Sequence, residues 1–270
     1  MNIEHLYKTA LGRSFVKIMQ KAGLFRLTSW YLKTKPSKLM INRYIKKNEI
    51  DMTPFQNQRY NCFADFFARQ RSDIVFNNNK DCFCSPCDGL LTIYPVTDEL
   101  IIPMKGSWYM LDDLIPDTDL AWKYTNGLCC VFRLQAKDYH HFYTFDDMSV
   151  EKTVYIPGFL HSVQPCACNK VQVYRQNRRW YSVLNTQNFG KVIQIEVGAM
   201  LVGGVSFCNT EAKLTRGDKM GNFELAGSTI VVFFDQYTKN KLFFYDEYQK
   251  AIGGSTEIPV SVGKPIGILK

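Results

Sequence analysis

Histidine is scarce in this chain, and long apolar segments are missing. Only four histidines occur among the 270 residues, so any chemistry that needs an imidazole must use one of very few positions. No apolar run approaches the ~20 residues that cross a bilayer, and the first residues lack the apolar segment and cleavage site of a signal peptide. We therefore expect a globular protein that is soluble or bound to a membrane surface.

The cysteines indicate neither a disulfide framework nor a complete zinc site. Nine cysteines are an odd number in a chain long enough to bury a core without disulfides. Cys84 and Cys87 have the spacing of a zinc-ligand pair, but no second pair of that spacing occurs, and Cys166 and Cys168 are a poor substitute. We expect free thiols in a reducing compartment and no metal.

Basic residues are concentrated at the N-terminus. Residues 1–50 contain eleven Lys and Arg against two acidic residues, whereas the remainder contains 22 against 23. The whole net charge of +8 therefore comes from the N-terminal segment. Such asymmetry suggests a docking surface for phosphate groups, on lipid headgroups or nucleic acid, attached to a nearly neutral core.

The first third of the chain has the periodicity of helices. Residues 3–22 place apolar side chains at helical spacing, flanked by Arg13, Lys17 and Lys21, which predicts an amphipathic helix. Further helices are predicted over 37–47 and 60–71. Because such a helix can either lie on a membrane or pack on the core, both arrangements stay open. We assign residues 1–75 to a helical, membrane-docking region.

From about residue 82 the pattern changes to short strands separated by turns. Apolar and β-branched runs predict strands at 90–94, 100–104, 128–134, 152–156, 192–205, 229–234 and 242–245. No alternation with helix-length segments suggests βαβ units. The sequence therefore predicts an α+β fold in which residues 76–270 form a predominantly antiparallel β core, barrel-like or sandwich-like.

A Gly-Ser-Thr turn leads directly into the apolar run at 229–234. Gly227 tolerates a strained backbone, and the Ser228 hydroxyl lies beside the carbonyl of the preceding peptide bond. Attack by that hydroxyl would turn the amide into an ester, and β-elimination would then break the chain and convert Ser228 into a pyruvoyl group. Taken alone, the motif is more typical of a simple turn before a buried strand.

Few other residues offer proton-transfer chemistry. His140 and His141 are adjacent, His161 follows an Ile-Pro-Gly segment, and Asp88 precedes a glycine. Each fits an ordinary structural role by itself. A carboxylate such as Asp88 can also orient a histidine or hold a proton near the scissile serine.

Taken in order, these residues resemble the phosphatidylserine decarboxylase family over nearly the whole chain. The resemblance rests on several short segments: Phe63-Ala-Asp-Phe-Phe67, Ser85-Pro-Cys-Asp-Gly89, Lys105-Gly-Ser-Trp-Tyr-Met-Leu111, Asp138-Tyr-His140, Ile156-Pro-Gly158, Val197-Gly-Ala-Met-Leu-Val-Gly203 and Gly221-Asn-Phe-Glu-Leu-Ala-Gly-Ser-Thr229. Several of these are weak individually, but their joint order is specific.

The resemblance implies a self-cleaving, pyruvoyl-dependent carboxy-lyase. Cleavage between Gly227 and Ser228 would give a large chain, 1–227, and a small chain, 228–270, whose pyruvoyl group forms a Schiff base with phosphatidylserine. Carbon dioxide would leave, and His140 would protonate the remaining carbanion before phosphatidylethanolamine is released. The implied partners are phosphatidylserine, an anionic membrane surface on the cytoplasmic side of the cell membrane, the two chains for each other, and a second copy in a homodimer.

One position departs from the family pattern. The histidine that acts there as the self-cleavage base, in a triad with the aspartate matching Asp88, is replaced here by Tyr143, a poor general base at neutral pH. We expect His161 to take this role. His140 could serve both steps, and His141 ranks third because it should point away from the site.

Two alternatives remain open from the sequence. Ser255 lies in a second Gly-Ser-Thr, but no continuous apolar strand follows it, so we expect a surface loop there. The loss of the histidine at Tyr143 also allows an uncleaved, lipid-binding relative without catalysis. A zinc-assisted nucleic-acid module is disfavoured because no nucleic-acid motif is present.

Overall fold

The computed structural model describes residues 3–99, 101–104, 107–200, 204–208, 213–225 and 228–270. The N-terminal region is helical. Its α-helices are α1 (Ile3–Lys8), α2 (Ala10–Lys21), α3 (Leu24–Leu32), α4 (Ile41–Asn48) and α5 (Phe63–Phe67), with 3-10 turns at Lys35–Met40 and Thr53–Phe55. Short helices lie further along: α6 (Leu111–Leu114), α7 (Thr118–Trp122), α8 (Pro165–Cys168), α9 (Val173–Gln176), α10 (Gln236–Lys241) and α11 (Asp246–Gln249).

The helix predicted over residues 3–22 is divided in two. Thr9 has an extended backbone and its side chain accepts a hydrogen bond from the Gly12 N–H, so it acts as the N-cap of α2. One side of the pair is buried through Tyr7 and Val16. Leu11 stays largely exposed, at 84%. The apolar stripe is therefore shared between the protein body and solvent.

Strands are the main regular structure in the rest of the described chain. Its strands are β1 (Cys82–Cys84), β2 (Gly89–Pro95), β3 (Ile101–Met104), β4 (Ser107–Met110), β5 (Leu128–Leu134), β6 (His141–Tyr143), β7 (Met148–Ile156), β8 (Arg179–Thr186), β9 (Lys191–Val197), β10 (Val205–Phe207), β11 (Lys213–Leu214), β12 (Lys219–Phe223), β13 (Ser228–Phe234), β14 (Leu242–Phe244), β15 (Ile258–Val260) and β16 (Pro265–Leu269).

An eight-stranded antiparallel sheet forms the centre of the fold. Its order is β11-β7-β8-β9-β13-β5-β2-β15, and β11 and β15 are its two edges, so the described strands form an open sheet and not a closed barrel. Two three-stranded sheets, β10-β12-β6 and β1-β16-β14, and the hairpin β3-β4 complete the β-structure. The fold is thus a mixture of helices and strands built on a large antiparallel sheet.

Both faces of the large sheet are covered. Alternate residues of β13 enter different hydrophobic clusters, with Val231 and Phe233 on one face and Ile230 and Val232 on the other. This follows from the two-residue period of a strand. The second face also packs against Phe142 and the smaller sheets. All seven residues of β13 are buried, which explains its continuous apolar sequence.

Hydrogen bonds join the helical region to the segment that follows β5. The Tyr44 hydroxyl donates to the Ala136 carbonyl at 3.0 Å, and Arg69 donates to the carbonyls of Lys137 and Asp138, both at 3.1 Å. Arg69 is buried. Among the described residues, no helix is long and apolar enough to cross a bilayer.

A carboxyl group lies within the core of the second face. Glu196 is fully buried opposite Ile230. One oxygen accepts a hydrogen bond from Gln194 at 2.8 Å, and the other has no hydrogen-bond partner in the described part of the chain. Burial raises the pKa of Glu196 to about 8, against the opposing effect of Gln194. The side chain is therefore largely protonated at neutral pH.

Replacing Glu196 with Gln should reduce the loss of stability at alkaline pH. The pKa of a glutamate in an unfolded chain is about 4.3. Between this pH and the folded-state pKa, the unfolded chain has released a proton that the folded protein still binds. The free energy of unfolding therefore falls as pH rises through this range. Glu196→Gln cannot titrate and keeps the acceptor for Gln194. We expect it to be more stable at pH 8 by about 1–3 kcal/mol.

Urea unfolding in the single-chain Ser228→Ala background would measure this effect. The difference between variant and parent should be much smaller at pH 5. A difference that does not change with pH would show that Glu196 is not the titrating group.

Candidate active site

Ser228 and His140 meet at the beginning of β13. Ser228 is 1% exposed and pairs with Leu134, the last residue of β5. Its hydroxyl oxygen lies 3.2 Å from Nδ1 of His140, which directly precedes β6. The structure therefore brings together two residues that are 88 positions apart in the chain.

The second ring nitrogen of His140 fixes its tautomer. Nε2 lies 2.9 Å from the carbonyl oxygen of Gln135, which can only accept a hydrogen bond, so Nε2 carries the proton. Nδ1 then presents a lone pair to the Ser228 hydroxyl. A neutral imidazole in this orientation is arranged as a general base for Ser228.

The turn that holds His140 is itself held by Asp138. The Asp138 carboxylate accepts a hydrogen bond from the Gln135 N–H at 2.6 Å, and the Asp138 N–H donates to the Gln135 carbonyl at 3.1 Å. Phe67 lies against the His140 ring with 4.3 Å between the ring centroids. Burial raises the pKa of Asp138 to about 6. These contacts leave the imidazole little freedom to turn away.

Burial also controls the basicity of His140. Complete burial and the nearby Arg69 charge lower its pKa to about 3. The imidazole is therefore neutral across the physiological range, and its lone pair is available. The same burial disfavours the imidazolium that forms when a proton arrives, so it opposes proton transfer from Ser228 to His140.

Among the described residues, no hydrogen bond joins Asp88 to a histidine. One carboxylate oxygen accepts a hydrogen bond from the Val262 N–H at 2.8 Å, and the other pairs with Arg71 at 3.4 Å. Burial raises the pKa of Asp88, opposed by Val262, Arg71 and the Tyr139 N–H. Asp88 is connected to the site by the hydrogen bond from the Tyr139 N–H, because Tyr139 directly precedes His140. Asp88 therefore supports the backbone that carries His140.

The glycine after Asp88 is needed for this packing. Gly89 has a φ of +149°, and a side-chain carbon there would lie 2.9 Å from the Arg133 carbonyl oxygen. Another residue would push β2 away from β5. Gly89 therefore fixes the distance between Asp88 and the strand that ends beside Ser228.

His161 belongs to a different cluster. Its Nδ1 lies 3.1 Å from the Tyr7 hydroxyl of α1, and its backbone N–H donates to the Asn177 side chain at 2.8 Å. Burial lowers the pKa of His161 to about 4, assisted by Lys17. No hydrogen bond joins His161 to Ser228 among the described residues. The geometry therefore favours His140 over His161 as the base.

The other two candidate positions point elsewhere. The Tyr143 hydroxyl lies 2.9 Å from the Tyr139 hydroxyl, and Nε2 of His141 lies 3.2 Å from the Ala68 carbonyl. His141 also stacks on Tyr139, with 4.6 Å between ring centroids. Neither side chain has a described hydrogen bond to Ser228.

The two Gly-Ser-Thr segments have different surroundings. Ser228 is buried at the start of a central strand, whereas Ser255 is exposed and follows Gly253 and Gly254, which both have positive φ. Gly227 lies outside the described residues. The environment of the two serines therefore favours Ser228 for chemistry.

A cavity of about 900 Å³ lies next to the ends of these strands. One part of the cavity is lined by Phe67 and Leu134. Phe67 contacts His140, and Leu134 pairs with Ser228. Helices of the N-terminal region line another part, through residues such as Thr28 and Tyr44. A molecule held by the N-terminal helices could therefore reach the neighbourhood of Ser228.

The sequence of residues 62–259 matches the family model described as phosphatidylserine decarboxylase. This match covers more than half of the chain and includes Asp88, His140, His161 and Ser228. The chain belongs to the phosphatidylserine decarboxylase family.

Curated relatives agree with this membership. The chain is 38% identical over 273 residues to phosphatidylserine decarboxylase proenzyme 2 of Clostridium acetobutylicum, covering 98% of this chain and 91% of that protein. It is 33% identical to a phosphatidylserine decarboxylase proenzyme of Clostridium botulinum, covering 97% and 90% of the two chains. A proenzyme from Clostridium beijerinckii is 34% identical over 87% of this chain and 82% of its own.

Three contacts of this site were not identified from the sequence. Asp138 belongs to a segment that resembles the family, but its role in holding the Gln135 turn was not predicted. Phe67 also lies in such a segment, and its contact with His140 spans 73 residues. The Gln135 carbonyl carries no sequence signal at all, because any residue has a backbone oxygen.

His140→Ala should remain a single chain under conditions in which the unaltered protein is cleaved. Loss of a general base typically slows a step about 10²- to 10⁴-fold. His161→Ala and His141→Ala should be cleaved at rates within several-fold of the parent. Denaturing electrophoresis over time after synthesis would measure these rates.

Tyr7→Phe is the matched control for His161. It removes the same hydrogen bond and keeps the imidazole, so it should behave like His161→Ala. Blocked cleavage in His161→Ala together with normal cleavage in Tyr7→Phe would instead identify His161 as the base.

Proposed function

We propose that this protein is a phosphatidylserine decarboxylase, a pyruvoyl-dependent carboxy-lyase that cleaves itself between Gly227 and Ser228. One observation carries the proposal: Ser228 is buried at the start of a central strand, and its hydroxyl is within hydrogen-bond distance of an oriented, neutral His140. Membership of the family supplies the substrate, phosphatidylserine, and the products, phosphatidylethanolamine and carbon dioxide.

The surroundings of Ser228 fit a pyruvoyl group formed from it. The residue is almost inaccessible to solvent, and Phe67 and Leu134 provide apolar walls between it and the cavity. An enclosed, apolar site limits side reactions of an electrophilic carbonyl with water. A pyruvoyl group supplies a carbonyl that bonds to the substrate amine and accepts the electron pair left when carbon dioxide departs.

Self-cleavage begins with the Ser228 oxygen. It attacks the carbonyl carbon of Gly227 while its proton passes to Nδ1 of His140 and from there to the departing amide nitrogen, so an ester replaces the amide. Removal of the Ser228 α-proton then breaks the bond between Cβ and the ester oxygen and leaves a carboxylate at the end of the large chain. Water finally replaces the nitrogen, which leaves as ammonia.

The side chains on the Ser228 face also suit decarboxylation. His140 is neutral, and Phe67 and Leu134 are apolar, so these three side chains offer the substrate carboxylate no cation. A carboxylate that is poorly stabilised loses carbon dioxide more readily, because the charge is dispersed in the transition state. We propose that His140 then returns a proton to the substrate carbon.

The N-terminal helices support binding to a membrane surface. Exposed apolar side chains are grouped on α2, α3 and the following turn: Leu11, Phe15, Ile18, Leu24, Leu27, Trp30, Tyr31, Leu39 and Met40. We call this group the helical apolar patch. Such a patch, accompanied by basic residues, can enter the headgroup region of a bilayer. Of these elements, α3 and the following turn also line the cavity that adjoins the Ser228 region, through Thr28, Leu32 and Met40.

Peripheral attachment on the cytoplasmic side of the cell membrane fits two further features. All nine cysteines are free thiols, which suits a reducing compartment. Anionic lipids on that side would attract the basic N-terminal segment. The protein would then lie on the membrane surface that carries the headgroup of its substrate.

Purified protein should consist of two chains, 1–227 and 228–270. The small chain should resist Edman sequencing because a pyruvoyl group has replaced its α-amine. Ser228→Ala lacks the attacking oxygen and should remain one inactive chain. Intact mass spectrometry measures both results.

Ser255→Ala is the matched control and should be cleaved and active like the parent. A single intact chain for the unaltered protein would contradict self-cleavage. A break before Ser255 would move the reactive serine to the second Gly-Ser-Thr.

Replacing Leu27 and Trp30 with Ser should weaken binding to vesicles that contain phosphatidylserine by at least about 10-fold, because burial of two large side chains is lost. Higher salt should weaken binding of the parent only in part. Arg13 already donates to the Tyr7 carbonyl, and Lys17 lies over the Phe159 ring. Replacing Arg13, Lys17 and Lys21 with Gln should therefore have a smaller effect. Co-sedimentation with vesicles measures the affinity.

Tyr237→Ser provides the control, because Tyr237 is an exposed aromatic residue on α10, outside the N-terminal helices. It should bind like the parent. If the Leu27/Trp30 double variant binds the vesicles as tightly as the parent, the helical apolar patch does not mediate membrane binding.

A further inference from the structure

Arg133 is a buried cation on β5, the strand that pairs with the start of β13, and the chemistry above does not use it. It is 7% exposed, lies on β5 and pairs with Thr229, the residue after Ser228. Because side chains alternate along a strand, Arg133 and Ser228 lie on opposite faces of the sheet. Arg133 also lines the 900 Å³ cavity at the strand ends.

Glu257 holds one edge of the Arg133 guanidinium. Nε donates to one carboxylate oxygen of Glu257 at 2.9 Å, and Nη2 donates to the other. This two-point contact fixes the plane of the guanidinium. The Nη1 group has no hydrogen-bond partner among the described residues. An arginine has five N–H donors, so the second edge of the fork can receive another anion.

The cavity wall is otherwise weakly charged near this point. Its other cations, Lys47 and Lys137, are exposed, and Glu4 is the acidic residue of the described lining. An ammonium in water gains little from a nearby anion, whereas a partly desolvated guanidinium gains more. Arg133 is therefore the buried cation of the described cavity wall, and its remaining donors are the least solvated ones there.

We propose that Arg133 binds the phosphodiester of the substrate headgroup and so positions the serine portion at the Ser228 end of the cavity. The proposal rests on the function proposed above and adds a residue that recognises the substrate. The guanidinium offers the planar pair of donors that phosphate oxygens accept.

The reaction itself argues for the phosphodiester and against the carboxylate as the partner. A cation held on the carboxylate would stabilise the reactant more than the transition state, since that charge is lost as carbon dioxide forms. The phosphodiester keeps its charge throughout the reaction. Binding it contributes equally to the bound substrate and the transition state, so its loss should appear in KM and not in kcat.

Steady-state kinetics on short-chain phosphatidylserine in mixed micelles test this role. Arg133→Gln should raise KM by roughly 10- to 100-fold, the range expected for loss of charge-assisted hydrogen bonds, with kcat within about 3-fold of the parent. Arg133→Lys should give an intermediate KM. Both should still be cleaved into two chains, because His140 and Ser228 lie on the other face.

A pair of soluble inhibitors identifies the group that is bound. Glycerophosphoethanolamine carries the phosphodiester and amine without the carboxylate, and ethanolamine carries the amine alone. The parent should bind glycerophosphoethanolamine more tightly than ethanolamine. In Arg133→Gln, most of this difference in affinity should be lost. A raised KM with the preference intact would assign Arg133 to the carboxylate and overturn the proposal.

Glu257→Gln separates recognition from structure. It removes the carboxylate but leaves the guanidinium, so KM should rise by less than about 3-fold, which is below the effect of a lost charged hydrogen bond. If KM rises equally in Glu257→Gln and Arg133→Gln, or does not rise in Arg133→Gln, the proposal is wrong. Arg133 would then serve only as the ion-pair partner of Glu257. Failure of the proposed function would appear separately, as an unaltered protein that is uncleaved or releases no carbon dioxide.

Discussion

The hydrogen bond between Ser228 and His140 depends on the register of three strands. Ser228 faces His140 only because β13 pairs with β5 and β9 in one alignment, with Thr229 opposite both Arg133 and Val197. A slip by one residue would turn the hydroxyl to the opposite face. The complete burial of β13 therefore serves the chemistry as well as stability, because it makes such a slip costly.

The contacts that orient His140 also restrain its reactivity. Phe67 and the Gln135 turn hold the ring in place, and Arg69 of the helical region holds the same turn through the carbonyls of Lys137 and Asp138. These groups exclude water, which keeps the imidazole neutral but makes its protonated form unfavourable. The packing that creates the site therefore also lowers the basicity of its imidazole.

Local sequence predicted some of these features and could not predict others. The strand at 128–134 was predicted with its observed bounds, and the strand at 229–234 missed only Ser228, because both are apolar runs bounded by turn residues. The choice between His140 and His161 depends on which ring faces Ser228, which is set by packing between distant segments. Thr9 divides the first helix through a local cap, a signal present in the sequence. Arg133 gave no signal, since its position beside Ser228 follows from strand pairing alone.

The proposed cleavage would change which groups can approach the start of β13. In the intact chain the backbone nitrogen of Ser228 is bonded to Gly227, and in the pyruvoyl form a carbonyl oxygen takes the place of that nitrogen. A substrate amine must therefore approach from the end of the strand, where the large chain formerly continued. The cavity lies at this end, with the apolar Leu134 on the Ser228 face and Arg133 on the other face. The headgroup contact proposed for Arg133 would therefore require one substrate to extend around the ends of these paired strands, with its amine on the Ser228 face and its phosphodiester on the other.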